Sequence, residues 1–152
     1  MKFLIEKATI NNLDEILNLF KTTIETSCSK DYTEAQIYAW TSSIENKDRW
    51  KNKIENQYFI VAKHHHKITG FGSLENDYLD FLFVDKDYLR NGIASLIYDK
   101  LKEKAKDLGF IKLTTYASIT AKPFFESKGF YSIKENKIVR KGIEITNFEM
   151  TQ

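Results

Sequence analysis

Between Gln57 and Val84 the chain breaks into three short runs rich in β-branched and aromatic residues: Gln57 to Lys63, Lys67 to Leu74 and Tyr78 to Val84, with turns at "HHH" and "EN" between them. Turns that short join antiparallel neighbours, because a parallel crossover needs about a dozen residues. An antiparallel meander therefore occupies the middle of the chain, and every other element has to be arranged around it.

The meander leads directly into "DKDYLRNGIASLIYDKL", Asp85 to Leu101, where a loop becomes an amphipathic helix. Ile93, Leu96, Ile97, Leu101, Ala105 and Leu108 share one face, and the helix stops at Gly109, where a left-handed C-cap costs least. Upstream, Phe3 to Ala8 reads as a strand. "NNLDEILNLFKTTIET" follows as a helix behind an Asn cap, with Leu13, Ile16, Leu17, Phe20 and Ile24 on its inner face. "DYTEAQIYAW" opens a second helix with Thr33 and Gln36 in capping-box spacing, and "NKDRWKNKI" adds a short third piece. Downstream come the strand "IKLTTYAS", a short helix in "TAKPFFESKGF" with Pro123 in its first turn and Gly129 at its end, and the strands "YSIKENKIVR" and "GIEITNFEM". This order specifies an α/β fold with a mixed, mostly antiparallel sheet flanked by helices. At 152 residues, 42% hydrophobic and 14% aromatic, the chain suits one domain spanning 1–152.

Bulk properties exclude several classes of function. The 23 lysines and arginines against 21 aspartates and glutamates leave a net charge of +2 with no long basic block, which disfavours a nucleic-acid partner. No apolar run reaches the ~18 residues of a membrane span, and "MKFLIEKATI" lacks the features of a secretory signal. The single cysteine, Cys28, cannot close an intrachain disulfide. The expectation is a cytoplasmic protein without membrane contact.

Gly92 and Ala94 trim side chains from the point where the first N–H groups of a helix lack intrahelical partners, an arrangement suited to a phosphate group. No Gly-Lys-Ser/Thr follows as in a P-loop, and no G-x-G-x-x-G follows the first strand as in a dinucleotide fold. The plainer alternative is that Gly92 only relieves a tight turn.

With "IEKATINNLDEI", "ITGFGSLENDYLDFLFVDKDYLRNGIASLIYDKL" and "ASITAKPFFESKGF", the chain resembles the GNAT superfamily of acetyl-CoA-dependent N-acetyltransferases over nearly its whole length. The resemblance implies splayed central strands forming an acyl-CoA cleft. The family's Gln/Arg-x-x-Gly-x-Gly/Ala loop falls on Leu89, Gly92 and Ala94, with Leu89 replacing the usual Gln or Arg and Arg90 beside it. By carry-over, the amides of Arg90, Asn91, Gly92, Ile93, Ala94 and Ser95 face the pyrophosphate of coenzyme A. The strand Asp80 to Val84 splays from "IKLTTYAS", the pantetheine arm pairs with the main chain around Leu82, Phe83 and Val84, and an N–H near Phe83 or Val84 polarises the thioester. The family's thiolate-protonating tyrosine, in "P-F-Y-E-K-x-G-F", corresponds to Phe125, which has no proton to give and is left as a cofactor contact.

Acetyl transfer to an amine needs a base for the ammonium and a proton for the thiolate. Among Asp80, Glu75, Tyr78 and Tyr116, Asp80 ranks first as base because it interrupts an apolar strand, the bland alternative being a carboxylate that faces water. Tyr116 is the replacement acid. His64, His65 and His66 read as an exposed hairpin rather than a metal site, and no metal is expected. Cys28 reads as a bystander to direct transfer. Tyr32, Tyr38, Trp40 and Trp50 either roof the core or line the acceptor site. The reading is acetyl transfer from acetyl-CoA to a primary amine of a small molecule. An acyl-CoA sensor without turnover, or an enzyme acting on a protein N-terminus or lysine, stays open. Homodimers are frequent among proteins it resembles.

Overall fold

The computed structural model describes residues 2–152 and contains one seven-stranded sheet in the order β1-β2-β3-β4-β5-β7-β6. The strands are β1 (Leu4–Lys7), β2 (Tyr58–His64), β3 (Lys67–Glu75), β4 (Tyr78–Val84), β5 (Thr114–Ser118), β6 (Tyr131–Arg140) and β7 (Ile143–Thr151). Every neighbouring pair is antiparallel except β4 and β5. The helices are α1 (Leu13–Ser27), α2 (Glu34–Thr41), α3 (Lys47–Asn56), α4 (Ile93–Asp107) and α5 (Lys122–Ser127).

Alternation along the strands divides the core between the two faces of the sheet. On one face Phe59, Val61, Ile68 and Phe71 pack with Ile16, Phe20 and Ile24 of α1 and with Trp50 and Ile54 of α3. On the other, Ile60, Ala62, Leu74 and Leu79 pack with Ile93, Ile97 and Leu101 of α4. Helix α4 sits unusually close to β3: a Cβ at Gly72 would lie 2.6 Å from Ile97 Cγ2 and 3.0 Å from the Phe81 carbonyl oxygen.

The helix ends follow local chemistry, with three departures from expectation. At α2 the capping box forms in full, Gln36 N–H donating to Thr33 Oγ1 at 3.1 Å and Thr33 N–H to Gln36 Oε1 at 2.9 Å. Asn12 does not cap α1 through its side chain; its Oδ1 accepts from Thr9 N–H at 2.9 Å, and a single 3-10 turn precedes the helix. Leu108 is half-exposed rather than buried, because α4 ends one residue earlier. There Gly109, at φ +94°, reverses the chain so that Phe110 N–H donates to the Ala105 carbonyl at 2.8 Å. Gln57 belongs to the end of α3, its N–H donating to Lys53 O at 2.9 Å, so β2 begins at Tyr58. Among the described residues no helix is long and apolar enough to cross a membrane.

Candidate functional site

Among the described residues the only parallel pair in the sheet is also the least complete. Strands β4 and β5 are in register at Tyr78 with Thr114 and Leu79 with Thr115, and nowhere beyond. Thr115 Oγ1 donates to the Leu79 carbonyl at 2.8 Å where the strands part. Past that point β5 continues its pairing with β7 as far as Ser118, while Asp80–Val84 keeps only β3 as a neighbour. The gap is a cleft of about 240 Å³ lined by Asp80, Leu82, Phe83, Tyr116, Ala117, Ser118 and Phe125, among others.

The free main chain of β4 can be assigned from the ladder. Asp85 N–H donates to Thr69 O at 2.8 Å, so it faces β3. Hydrogen-bonded pairs recur every second residue in an antiparallel ladder, which turns the Phe83 amide toward its partner Phe71. Leu82 and Val84 then present theirs to the cleft side. The Val84 carbonyl is taken by Thr23 Oγ1 at 3.0 Å, which leaves its N–H as the donor on that side.

At the far end of β4 the chain enters α4 through Gly92, at φ +77° with no side-chain cap. The first intrahelical bond is Leu96 N–H to Gly92 O at 3.0 Å, so the N–H groups of Ile93, Ala94 and Ser95 have no partner within the helix. Helices α1, α2 and α3 each carry an acidic residue in the first turn, and α4 carries none. A Cβ at Gly92 would meet no protein atom within 4 Å, so backbone conformation, not crowding, requires glycine there. The tight-turn reading and the anion-binding reading of this loop are therefore compatible. Arg90 is exposed and left-handed at φ +64°, and Leu89 is exposed. The Asn91 side chain is occupied locally, donating to the carbonyls of Tyr88 and Leu89 at 3.0 and 3.1 Å.

Asp80 does not face water. Its side chain is only 10% exposed, forms an ion pair with Lys53 Nζ at 2.6 Å and accepts from Gln57 Nε2 at 2.9 Å. Burial, and then the adjacent Asp80 carboxylate, push the Tyr78 phenol far above its usual range, with Arg49 acting in the opposite sense. Tyr78 therefore stays protonated and can donate, which removes it from the candidate bases. The Tyr116 ring stands edge-on to it at 5.9 Å and is half-exposed. Glu75 is exposed at the end of β3, 3.4 Å from Gln57 Nε2. Phe125 is buried against Phe130, with ring centroids 5.2 Å apart.

The aromatic residues of the first helices divide between both expected roles. Trp50 is buried, stacks on Phe81 at 4.7 Å and donates from Nε1 to Ser43 O at 3.1 Å; with Tyr32 and Trp40 it also lines the cleft. Tyr38 is exposed and outside it. The Tyr32 hydroxyl donates to Thr146 O at 2.7 Å and accepts from Ile119 N–H at 2.8 Å, joining β7 to the segment after β5; burial pushes its phenol up to about 12. Cys28 is buried and its thiol is pushed up by that burial, which suppresses the nucleophilic thiolate. His64 ends β2, paired with Lys67, and His65 and His66 form the turn, with His65 at φ +56° and His64 Nδ1 3.1 Å from Lys2 O. Among the described residues no group of three or more metal-ligating side chains comes together.

Sequence reasoning missed Lys53, Gln57, Arg49, Arg140 and Asn147. Lys53 and Gln57 hold Asp80, and the other three line the cleft. Arg49 and Lys53 lie four apart on α3, and that spacing, which puts two side chains on one helix face, was the available signal.

Comparison with known proteins agrees with this geometry. A family model described as an acetyltransferase (GNAT) domain matches residues 28–152. An uncharacterised N-acetyltransferase of Escherichia coli, YafP, is 35% identical over 139 residues, covering 91% of this chain and 88% of the relative. A GCN5-related N-acetyltransferase from Rhodopseudomonas palustris superposes with a TM-score of 0.96 at 25% identity, covering 100% of this chain and 96% of the other. The PaiA N-acetyltransferase of Thermoplasma acidophilum, solved with coenzyme A, gives 0.81 at 18% identity over 100% and 99% of the two chains, a likeness of fold. An open cleft between two parallel strands, an uncapped helix start in the segment that follows β4 and a matching family model over most of the sequence lead to one conclusion: the chain belongs to the GNAT family of acetyltransferases and is an acyltransferase.

Proposed function

We propose that this single-domain protein transfers an acetyl group from acetyl-CoA directly to a primary amine of a small molecule. The observation that carries the reading is the parting of β4 from β5 after Leu79 and Thr115, which leaves one edge of β4 unpaired in a strand that leads on to the uncapped start of α4. The pyrophosphate of acetyl-CoA lies against the amides from Arg90 to Ser95. Its pantetheine arm runs along Leu82 and Val84, and Phe125 contacts it across the cleft.

An alkylammonium acceptor, with a pKa near ~10.4, gives up a proton to Asp80 before its nitrogen attacks the thioester carbonyl carbon. The Val84 N–H donates to the oxyanion that forms as the C–N bond is made. When the C–S bond breaks, the CoA thiolate takes a proton from Tyr116, and the second proton lost by the nitrogen as it becomes an amide passes through solvent to the phenolate and restores it. Main-chain donors do most of the work in this scheme, which is why Leu89 can replace a Gln or Arg.

Thiol release from acetyl-CoA across a panel of small amines and peptides tests the proposal, together with calorimetric titration of acetyl-CoA into wild type, Gly92→Ala and Gly92→Glu. Both variants share the strain of a side chain at φ +77°, and only the glutamate adds bulk and negative charge. Amine-dependent thiol release, with binding lost in Gly92→Glu and largely kept in Gly92→Ala, is the expected result. Binding without turnover for any amine or peptide would favour a sensor, the reading that the missing hydroxyl at Phe125 supports. Turnover only with peptides would move the acceptor to a protein.

A further inference from the structure

The acceptor end of the cleft carries more positive charge than an amine substrate needs. Its lining includes Arg49, Lys53 and Arg140 against one carboxylate, Asp80. Lys53 and Asp80 neutralise each other at 2.6 Å, and none of the ion pairs among the described residues includes Arg49 or Arg140. Both residues are exposed, and the Arg140 guanidinium donates from Nη1 to the Val139 carbonyl at 3.1 Å, so two arginines of the cavity lining have no carboxylate partner among the described residues.

Their position separates them from the pyrophosphate end. The charge of Arg49 reaches the Tyr78 phenol at the first residue of β4, whereas Val84, where the chain leaves for the glycine loop, is about 20 Å further along at ~3.3 Å per residue. Arg49 also belongs to α3, which packs on the face of the sheet opposite α4. Arg140 ends β6, and the β6–β7 hairpin that carries it is tied to the segment before α3. Lys141 Nζ lies 3.6 Å from Glu45 Oε2, and Gln36 Nε2 donates to Glu144 O at 3.0 Å. The same cavity is lined by Asn147, whose Oδ1 is buried without a hydrogen-bond partner.

We infer that the acceptor is an amine that also carries an anionic group, a carboxylate or a phosphate, held by Arg49 and Arg140 while its nitrogen is directed toward Asp80, with Asn147 Oδ1 accepting one of its N–H donors. Guanidinium groups present forked donors that match both anions. A simple monoammonium ion would enter a lining of net positive charge with nothing to offset it, whereas a zwitterionic acceptor brings its own counter-charge. This inference rests on the reading of the cleft as an amine-acetylation site, and it names the chemical class of the acceptor.

The test measures binding separately from turnover. Calorimetric titrations in the presence of coenzyme A compare 4-aminobutyrate with butylamine and O-phosphoethanolamine with ethanolamine, for wild type, Arg49→Gln and Arg140→Gln. Tighter binding of the carboxylate or the phosphate member of its pair, falling about tenfold in each arginine variant while the member that carries only the ammonium group does not weaken, is the expected result. Which anionic member binds distinguishes the two anions. Equal or weaker binding of both anionic members, no binding by any of the four, or indifference to both arginine substitutions would overturn the inference. Thiol release with the same compounds reports on the acetylation reading alone: anionic binding without turnover would sink that reading and leave the arginine site standing.

Discussion

Replacing Gly72 by alanine tests whether the close seating of α4 on β3 governs the cofactor end of the cleft. The new Cβ would lie 2.6 Å from Ile97 Cγ2, 3.0 Å from the Phe81 carbonyl oxygen and 3.1 Å from Leu101 Cδ1. Carbon atoms in contact prefer ~3.5–4.0 Å, so α4 must withdraw by about 1 Å, since Ile97 and Leu101 are fully buried and have nowhere to turn. Overpacking of this kind costs about 1–3 kcal/mol, and alanine regains roughly 0.5–1 kcal/mol of the conformational entropy that glycine loses in a strand. A net loss of about 1–2 kcal/mol lowers Tm by roughly 2–8 °C for a chain of this size. The shift also displaces the amides of Ile93, Ala94 and Ser95, so acetyl-CoA binding weakens along with stability. The assay is thermal unfolding and calorimetry on Gly72→Ala, Ile97→Ala and the double variant. Removing Ile97 Cγ2 clears the shortest contact, so the cost of Gly72→Ala should fall by about 1 kcal/mol in that background. The reasoning is refuted if Gly72→Ala costs the same in both backgrounds, or leaves both Tm and acetyl-CoA binding unchanged.

Three further outcomes are expected. Asp80→Asn should lower turnover and change its pH profile while acetyl-CoA still binds, and an unchanged profile would remove Asp80 as base. Tyr116→Phe should reduce the maximal rate far more than it weakens acetyl-CoA binding; equal activity of the two proteins would rule out its role as acid. Tyr32→Phe leaves the Thr146 carbonyl and the Ile119 N–H without their partner, at about 1–3 kcal/mol for such unsatisfied groups, and chemical denaturation measures the loss. Because the folded phenol is pushed up to about 12 while an unfolded tyrosine ionises near ~10, wild-type stability should fall as pH rises across that window, and Tyr32→Phe should flatten the fall. A slope identical in the two proteins would mean that Tyr32 is not a contributor.

The sequence was most informative where structure is made locally. The bounds of β4 follow from the run Tyr78 to Val84 between turn residues, and the α2 capping box from the Thr33 and Gln36 spacing. Errors fell where a neighbouring element competes for the same residue. Gln57 looks like the first residue of a strand, yet its N–H completes α3. Leu108 keeps the helical period of α4, yet the chain reverses at Gly109 and it is Phe110, not Leu108, that packs against the core. Asp80 stood out in an apolar strand, but the two partners that take it out of water, Lys53 and Gln57, lie more than twenty residues upstream.

The same division separates the two ends of the cleft. The proposed cofactor side is built from a single stretch, β4 and the loop into α4, because a helix start and a free strand edge can be supplied by neighbouring residues. The proposed acceptor side draws on Tyr32, Arg49, Tyr78, Tyr116, Arg140 and Asn147, which line one cleft because the β6–β7 hairpin is tied to α2 and to the residues before α3. A site of that construction leaves no short motif, since the spacing between its members is set by loop lengths rather than by chemistry. It can also change one side chain at a time without disturbing the loop that holds the donor. The arginines at its rim are therefore where selection of the acceptor is expected to act, and a carboxylate or phosphate on the amine is the property they are suited to select.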